Sequence, residues 1–283
     1  MSKSFELFGP QPRKDRDIWR YTTLAKLLNM VGNDQDVMNL VAFRADEFED
    51  DYEGTLSEKA KQKLEQNMIE NSESQYLNDW GSSRNKYTEK IREDLKKDYY
   101  SGANSRAKSV TDMIQKMRKL TFANCWNIGK YEDSNMWGAY TTQTDGVVIK
   151  TTYDSITDSI VDYDGVLYLG SVDYIDFEHD KMKTEAIAPF FFKQRQFKSE
   201  AEFRFVVTDY KTKYLNPADG VKNMPSVPNS TTRKISVNPT ELIEEVRVHP
   251  KSENYLKEVI ERVFSRENID AEVKHSSLRP SLS

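Results

Sequence analysis

Charged residues recur at every second position in one stretch near residue 200. Glu200, Glu202 and Arg204 alternate there with small or aromatic residues. Because successive side chains of a β-strand point to opposite faces, this spacing predicts that the carboxylates and the guanidinium share one face, while Phe203 and Phe205 enter the core. The charged face is either a functional site or a solvated ladder of ion pairs, since one face of an antiparallel strand often meets water.

Two neighbouring carboxylates are suited to breaking the bond between nicotinamide and ribose in NAD. This cleavage develops positive charge on the ribose, which the carboxylate of Glu202 would stabilise. The carboxylate of Glu200, two residues earlier, would orient or deprotonate the acceptor. We therefore predict transfer of ADP-ribose from NAD, as substrate, to a macromolecule or a small acceptor, with Glu202 and Glu200 as catalytic residues and no metal ion.

Two other functions are compatible with the same residues. One is a non-catalytic module that binds a nucleotide or a protein in the same pocket. The other, a metal-dependent nuclease using Glu200, Glu202 and Asp46, is weaker, because a catalytic metal pair normally draws on several carboxylates with a lysine. Saturable NAD binding with release of nicotinamide would distinguish the enzyme from the binding module.

The composition favours one soluble domain and does not indicate nucleic-acid binding. Residues 1–283 have 31% charged side chains but a net charge of only -5, so no strong field attracts nucleic acid or an anionic membrane. No segment approaches the roughly 20 apolar residues of a membrane span, and we expect a cytoplasmic protein. Cys125 is the only cysteine, which excludes an intrachain disulfide. The acidic segment from 46 to 53 lacks the pattern of a calcium loop and is interpreted as a solvated turn.

Apolar patterns predict the elements that must position the charged residues. An early strand places Trp19 and Tyr21 on one face and Arg20 on the other, and a short helix follows it. The next strand ends at Arg44. Further on, Asp133 or the residue after it caps a short helix formed by NMWGAYT. These elements should bring residues from distant parts of the chain to the charged strand.

A long polar segment interrupts the strands. Residues 55–119 are predicted to form an inserted helical lobe, because apolar residues recur there at helical spacing, as at Tyr87, Ile91, Leu95 and Tyr99. This lobe is a candidate docking surface for a protein acceptor or partner. The whole chain is therefore predicted to be a single α+β domain with a mainly antiparallel sheet core, flanking helices and this helical insertion.

The order of several short motifs resembles the bacterial family called domain of unknown function 2971. The motifs are WRY at 19–21, FRADEFEDDYEG at 43–54, NMWGAYTTQTDGVVIK at 135–150, Lys193 with Glu200, Glu202 and Arg204 in the spacing K-x(6)-E-x-E-x-R, and the C-terminal VRVHP and VKHSSL. The family has an F-x-x-x-x-F-x-D-x-x-E-like turn, in which Asp51 here replaces the usual proline. The resemblance covers nearly the whole chain except the helical lobe, and it implies no established reaction.

This resemblance implies that residues far apart in sequence converge on one site. They are Trp19, Arg20, Tyr21, Trp137, Tyr140, Lys193, Glu200, Glu202 and Arg204. For an NAD site, we expect Arg20 or Arg44 to pair with the diphosphate. We expect Tyr140 or Trp137 to stack on nicotinamide. With Tyr21, Lys193 and Arg204, these residues form the predicted nucleotide-binding set.

The chain is also similar to arginine-directed ADP-ribosyltransferases. Those enzymes carry an early arginine, a middle Ser-Thr-Ser strand and a late Glu-x-Glu, which here is Glu200 and Glu202. The middle element is missing, since Asn124, Cys125 and Trp126 stand where a hydroxyl-bearing strand is expected. This second resemblance therefore depends on the arginine and the Glu-x-Glu pair alone.

Overall fold

The computed structural model describes residues 5–31, 37–63, 111–161, 163, 165–183, 185–210 and 224–279, together with residues 66, 93, 94, 97 and 102. Most of the predicted lobe at 55–119 lies outside the described residues. At the two ends of the lobe segment, four apolar side chains are buried: Leu56, Ala60, Met113 and Met117. Both ends of this segment therefore pack into the core of the domain.

Twelve strands and five helices with complete bounds make up the described part of the chain. The strands are β1 (Phe5–Leu7), β2 (Asp17–Thr23), β3 (Met38–Arg44), β4 (Thr121–Ile128), β5 (Gly146–Thr152), β6 (Val166–Ser171), β7 (Asp173–Ile175), β8 (Phe192–Gln194), β9 (Glu202–Thr208), β10 (Thr232–Val237), β11 (Glu245–Val248) and β12 (Glu272–His275). The helices are α1 (Leu24–Val31), α2 (Ser134–Tyr140), α3 (Tyr153–Ser159), α4 (Pro239–Leu242) and α5 (Asn254–Arg266). Residues 58–63 and 111–118 are also helical. None of the described helices is long and apolar enough to cross a membrane.

Ten of these strands form one mixed sheet. Its order is β1-β6-β9-β4-β2-β5-β11-β12, and β3 pairs with both β4 and β10 beside this path. β1 runs parallel to β6, and β11 runs parallel to β12 because α5 crosses between them. β7 and β8 form a separate parallel pair. The predicted α+β class is confirmed, but the expectation of a mainly antiparallel sheet is wrong.

The sheet forks at β4. One edge of β4 pairs with β9 along most of its length. On the other edge, β2 pairs with its C-terminal end and β3 pairs with its N-terminal end, so β2 and β3 diverge. Two side chains bridge this fork: Arg20 of β2 donates to the carbonyl of Cys125, and Asn124 of β4 donates to the carbonyl of Val41 in β3. The fork opens a space between strands that would otherwise be adjacent.

β9 lies inside the sheet and is buried over its whole length. Phe203 and Phe205 belong to the main apolar core, where the ring of Phe203 meets the edge of Tyr153. Their predicted burial is confirmed. Glu202 and Arg204 alternate with them and point to the other face, yet both are buried as well. The interpretation of this face as a solvated ladder is therefore wrong.

Candidate functional site

A cavity of about 210 Å³ opens in the fork between β2, β3 and β4. Its lining combines aromatic side chains with both signs of charge. The lining residues are Trp19, Arg20, Tyr21, Thr22, Lys26, Phe43, Phe48, Ala123, Cys125, Trp126, Asn127, Met136, Tyr140, Glu200 and Glu202. A concave, partly apolar site with a few convergent polar groups is the usual form of a small-molecule site.

The two predicted catalytic glutamates both line this cavity, but they lie in two different secondary-structure elements instead of one strand. Glu200 ends a 3-10 helix, Arg195–Glu200, and the strand β9 begins only at Glu202. Between them Ala201 adopts a left-handed conformation with φ of 40°. Its carbonyl accepts a 2.7 Å hydrogen bond from the amide of Ile128, which holds this turn in place. The expectation that both glutamates belong to one strand is wrong, because the chain turns at Ala201.

Both glutamates nevertheless meet at a buried ion network, which we call the Lys193 cluster: Glu53, Lys193, Glu200, Glu202 and Arg204. The ammonium of Lys193 lies 2.7 Å from Glu200, 2.8 Å from Glu202 and 3.0 Å from Glu53. The guanidinium of Arg204 lies 2.7 Å from Glu202 and 2.8 Å from Glu53. Arg204 also donates to the carbonyl of Phe190. All but Glu200 are at least nine-tenths buried.

The two glutamates that line the cavity are in opposite electrostatic situations. Burial, together with a hydrogen bond to Glu202, raises the pKa of Glu200 from 4.5 to about 7. Burial would also raise the pKa of Glu202, but the charges of Arg204 and Lys193 outweigh it and hold that pKa well below 4.5. Carboxylates whose pKa values are driven apart in this way are suited to different roles in acid–base chemistry. Glu202 stays ionised, and Glu200 exchanges its proton near neutral pH.

The cavity is also lined by an arginine, Arg20, whose guanidinium makes no ion pair with a carboxylate of the described residues. One nitrogen of Arg20 donates to the carbonyl of Cys125, and its guanidinium lies 5.9 Å from the ring centre of Trp126. Among the described residues, no carboxylate lies within ion-pair distance of Arg20. Burial lowers its pKa to about 10, which still leaves it charged at neutral pH. The exposed Lys26 lines the same cavity and adds a second positive charge to the lining.

Aromatic side chains are exposed at the cavity. Tyr140 is 50% exposed and Phe43 is 41% exposed, although both line it. Burial raises the pKa of the Tyr140 hydroxyl, and the charges of Glu200 and Glu202 raise it further, so the phenol stays protonated. Burial and the charge of Glu202 likewise raise the pKa of the Cys125 thiol, which removes it as a nucleophile. Tyr140 and Phe43 are therefore available to contact a bound ring.

Two of the predicted nucleotide-binding residues, Arg44 and Trp137, belong neither to the cavity lining nor to the Lys193 cluster. Arg44 pairs instead with Asp46 at 2.6 Å and with Glu47 at 3.3 Å. The guanidinium is neutralised there, and among the described residues Asp46 forms no metal-type group with the glutamates that a metal-dependent nuclease would need it to join. Trp137 packs in an apolar cluster with the lining residues Tyr21 and Met136 but is not itself part of the lining, and its indole donates to Glu132 at 3.1 Å. The other predicted residues either line the cavity or belong to the Lys193 cluster.

Sequence reasoning missed Glu53. The acidic segment was interpreted as a solvated turn, but Asp50 and Glu53 are only 5% and 3% exposed. For Glu53 the reason is charge compensation, because the buried cations Lys193 and Arg204 require carboxylates beside them. A signal was present in the F-x-x-x-x-F-x-D-x-x-E-like turn of the family resemblance, whose last residue is Glu53.

Within the described ranges, no group of three His, Cys, Asp or Glu side chains is arranged to hold a metal ion. In the Lys193 cluster the carboxylates surround an ammonium group. Comparisons with protein-family models, curated proteins and solved structures gave no significant match. The two resemblances found in the sequence motifs therefore stay predictions, and the function has to be argued from the chemistry of the cavity.

Proposed function

We propose that the protein binds NAD in the fork of the sheet and transfers its ADP-ribose group to an acceptor. The observation that carries this proposal is the pair of glutamates in one cavity, one held ionised and one titrating near pH 7. Cleavage of a glycosidic bond needs a fixed negative charge and a group that moves a proton. Glu202 and Glu200 supply these two functions in the proposal.

The size and polarity of the cavity suit the nicotinamide end of NAD. At about 210 Å³ it is smaller than the roughly 300 to 1,000 Å³ of sites for drug-sized ligands, so part of the dinucleotide would remain outside. The cationic nicotinamide ring would lie towards Glu200 and Glu202 and contact Tyr140. The diphosphate would lie towards Arg20 and Lys26, where an uncompensated positive charge favours an anion.

The reaction breaks the bond between C1′ of the ribose and the nicotinamide nitrogen, and the electron pair leaves with nicotinamide. The fixed charge of Glu202 stabilises the positive charge that develops on the ribose. The acceptor attacks C1′ as Glu200 takes its proton, which is then released to solvent. A base with a pKa near the working pH is effective at this step.

One observation favours a non-catalytic nucleotide-binding module as the second candidate. Both carboxylate oxygens of Glu202 accept hydrogen bonds from cations, one from Lys193 and the other from Arg204. A carboxylate engaged in this way has less capacity to bind a ribose hydroxyl. In such a module the same cavity would bind the nucleotide without turnover.

Incubation of the purified protein with labelled NAD, with and without cell extract, tests the proposal. We expect release of nicotinamide and ADP-ribose adducts detectable by mass spectrometry. Glu200→Gln keeps the shape of the side chain but cannot take a proton, so turnover should fall about a hundredfold or more. Glu261→Gln, on the exposed face of α5, is the matched control and should keep full activity.

Two outcomes would contradict the proposal. Saturable NAD binding without release of nicotinamide would support the binding module instead. Turnover that persists in folded Glu200→Gln protein would show that this carboxylate does not move the proton.

A further inference from the structure

The turn that carries Glu53 is docked firmly against the Lys193 cluster. Its backbone is closed by a 3.0 Å hydrogen bond from the amide of Glu53 to the carbonyl of Asp50. The next residue, Gly54, has a positive φ of 72° and donates to the carbonyl of Pro189. A β-carbon at Gly54 would come within 2.8 Å of the ring of Phe190, so the turn needs glycine to approach this closely. The backbone of this turn is therefore held in close contact with the segment around Phe190.

This carboxylate contacts both buried cations of the cluster. It lies 3.0 Å from the ammonium of Lys193 and 2.8 Å from the guanidinium of Arg204. Unlike Glu200 and Glu202, Glu53 does not line the cavity. It therefore acts on a bound molecule only through the residues that it contacts.

The charges in the cluster determine which carboxylate is in excess. Lys193 and Arg204 supply two positive charges, and Glu53 and Glu202 supply two negative charges. An ionised Glu200 would add a third negative charge with no cation of its own, which is unfavourable in a buried site. Glu200 is also the least buried of the three carboxylates, so its proton exchanges with the cavity.

We propose that Glu53 is a positioning residue that occupies the two buried cations and so leaves Glu200 as the carboxylate that exchanges a proton in the cavity. The importance of this role for turnover rests on the proposed function. The effect of Glu53 on the protonation of Glu200 does not depend on that function. The charged or titratable groups that interact with Glu200 come from three elements: Lys193 in β8, Glu202 in β9 and Tyr140 in α2. Glu53 acts on Glu200 through the first of these.

Removing the charge of Glu53 should change the protonation of Glu200. In Glu53→Gln the cluster holds two cations and one other ionised carboxylate, so Glu200 becomes the counter-ion that Lys193 lacks. Its titration midpoint should fall from about 7 by roughly one unit or more towards the ordinary value for glutamate. A purely structural role for Glu53 would not move this midpoint in a folded protein.

Carbon NMR of the full chain with ¹³C-labelled glutamate side chains measures the midpoint directly. The resonance that titrates near pH 7 in wild type should be missing in Glu200→Gln, which assigns it. It should titrate at lower pH in Glu53→Gln. Glu47→Gln is the matched control, since Glu47 precedes the same turn but pairs with Arg44 outside the cluster, and it should leave the midpoint unchanged.

The outcomes separate this proposal from the proposed function. An unchanged Glu200 midpoint in Glu53→Gln overturns the role of Glu53, whether or not NAD is turned over. A shifted midpoint in a protein that releases no nicotinamide supports the role of Glu53 and removes the proposed reaction. If Glu53→Gln does not fold, Glu53→Asp tests the same role, because its shorter side chain places the carboxylate farther from the ammonium of Lys193. A smaller downward shift then supports the proposal, and an unchanged midpoint overturns it.

Discussion

Two buried carboxylate networks in the described part of the chain differ in how their charges are satisfied. In the first, which we call the Glu132 network, a single carboxylate accepts hydrogen bonds from five donors. The donors are the indole of Trp137, the guanidinium of Arg247, the hydroxyl of Ser276, and the amide and hydroxyl of Ser277. In the second, the Lys193 cluster, three carboxylates share two cations. Helix α2 contacts both, through Trp137 in the first and Tyr140 beside the second.

The two networks differ in whether one of their carboxylates takes up a proton near neutral pH. Burial would raise the pKa of Glu132, but the hydrogen bonds from Ser276 and Arg247 outweigh it and lower the pKa below 4.5. Glu132 is therefore ionised throughout the neutral range, and every donor around it is engaged. Glu200 belongs to a network in which three carboxylates share two cations, so its negative charge is not fully compensated and burial raises its pKa. A saturated network fixes structure, whereas an unbalanced network at a cavity can move a proton.

The largest effect should come from breaking the Glu132 network. Glu132→Ala leaves a buried guanidinium and several buried donors without their acceptor, and the free energy of unfolding should fall by roughly 3 to 5 kcal/mol. Urea denaturation measures the loss. Ser277→Ala removes only one hydroxyl and should cost about 1 kcal/mol. Equal losses in the two variants would show that Glu132 is not the centre of this network.

The pH dependence of stability should have opposite signs in the two networks. The pKa of Glu200 is raised on folding, so the stability it contributes is present below about pH 4.5 and is lost as pH rises through about 7. The pKa of Glu132 is lowered on folding, so its contribution is present above the ordinary value and is lost as pH falls. Acid should therefore weaken the Glu132 network, whereas a rise in pH from about 4.5 to about 7 should weaken the Lys193 cluster.

Glu200→Gln tests the second half of this contrast. The variant leaves Glu53 and Glu202 balanced by Lys193 and Arg204, so it should lack the fall in stability between about pH 5 and pH 8. In wild type this fall should be on the order of 2 to 3 kcal/mol, because each unit of pKa shift corresponds to about 1.4 kcal/mol. Urea denaturation at a series of pH values gives both curves. Parallel curves for the two proteins would show that Glu200 does not titrate in this window.

The elements set by local patterns could be predicted from the sequence. The side chain of Asp133 caps α2 by accepting from the amide of Asn135, as the capping rule predicted. The alternation around Phe203 predicted its burial and that of Phe205. The strand that ends at Arg44 was also predicted. In each case the secondary structure that a few consecutive residues favour locally agrees with the environment of those residues in the folded protein.

The details of the site depended on contacts that local patterns do not contain. The alternation rule assumes an extended chain, and the left-handed Ala201 breaks it one residue before β9. The burial of Glu53 is set by Lys193, which lies 140 positions later in the chain. The indole of Trp137 was expected in the cavity, but it donates to the buried carboxylate of Glu132 and is not part of the lining. Contacts between residues far apart in the chain decided these positions.

The smallest effect should come from an ion pair that belongs to neither network. Lys257 and Glu261 are one helical turn apart on α5, 2.8 Å from each other, with side chains about one-third and one-half exposed. Such i,i+4 pairs contribute about 0.3 to 0.5 kcal/mol, because water screens the charges and ordering two long side chains offsets the gain. Glu261→Gln should therefore lower the unfolding free energy by no more than this and should keep the wild-type fall in stability between pH 5 and pH 8. The same urea series measures both quantities. A loss of unfolding free energy as large as that of Glu132→Ala would mean that burial and the number of hydrogen-bond donors do not determine how much a carboxylate contributes to stability in this fold. The contrast between the two networks would then no longer hold.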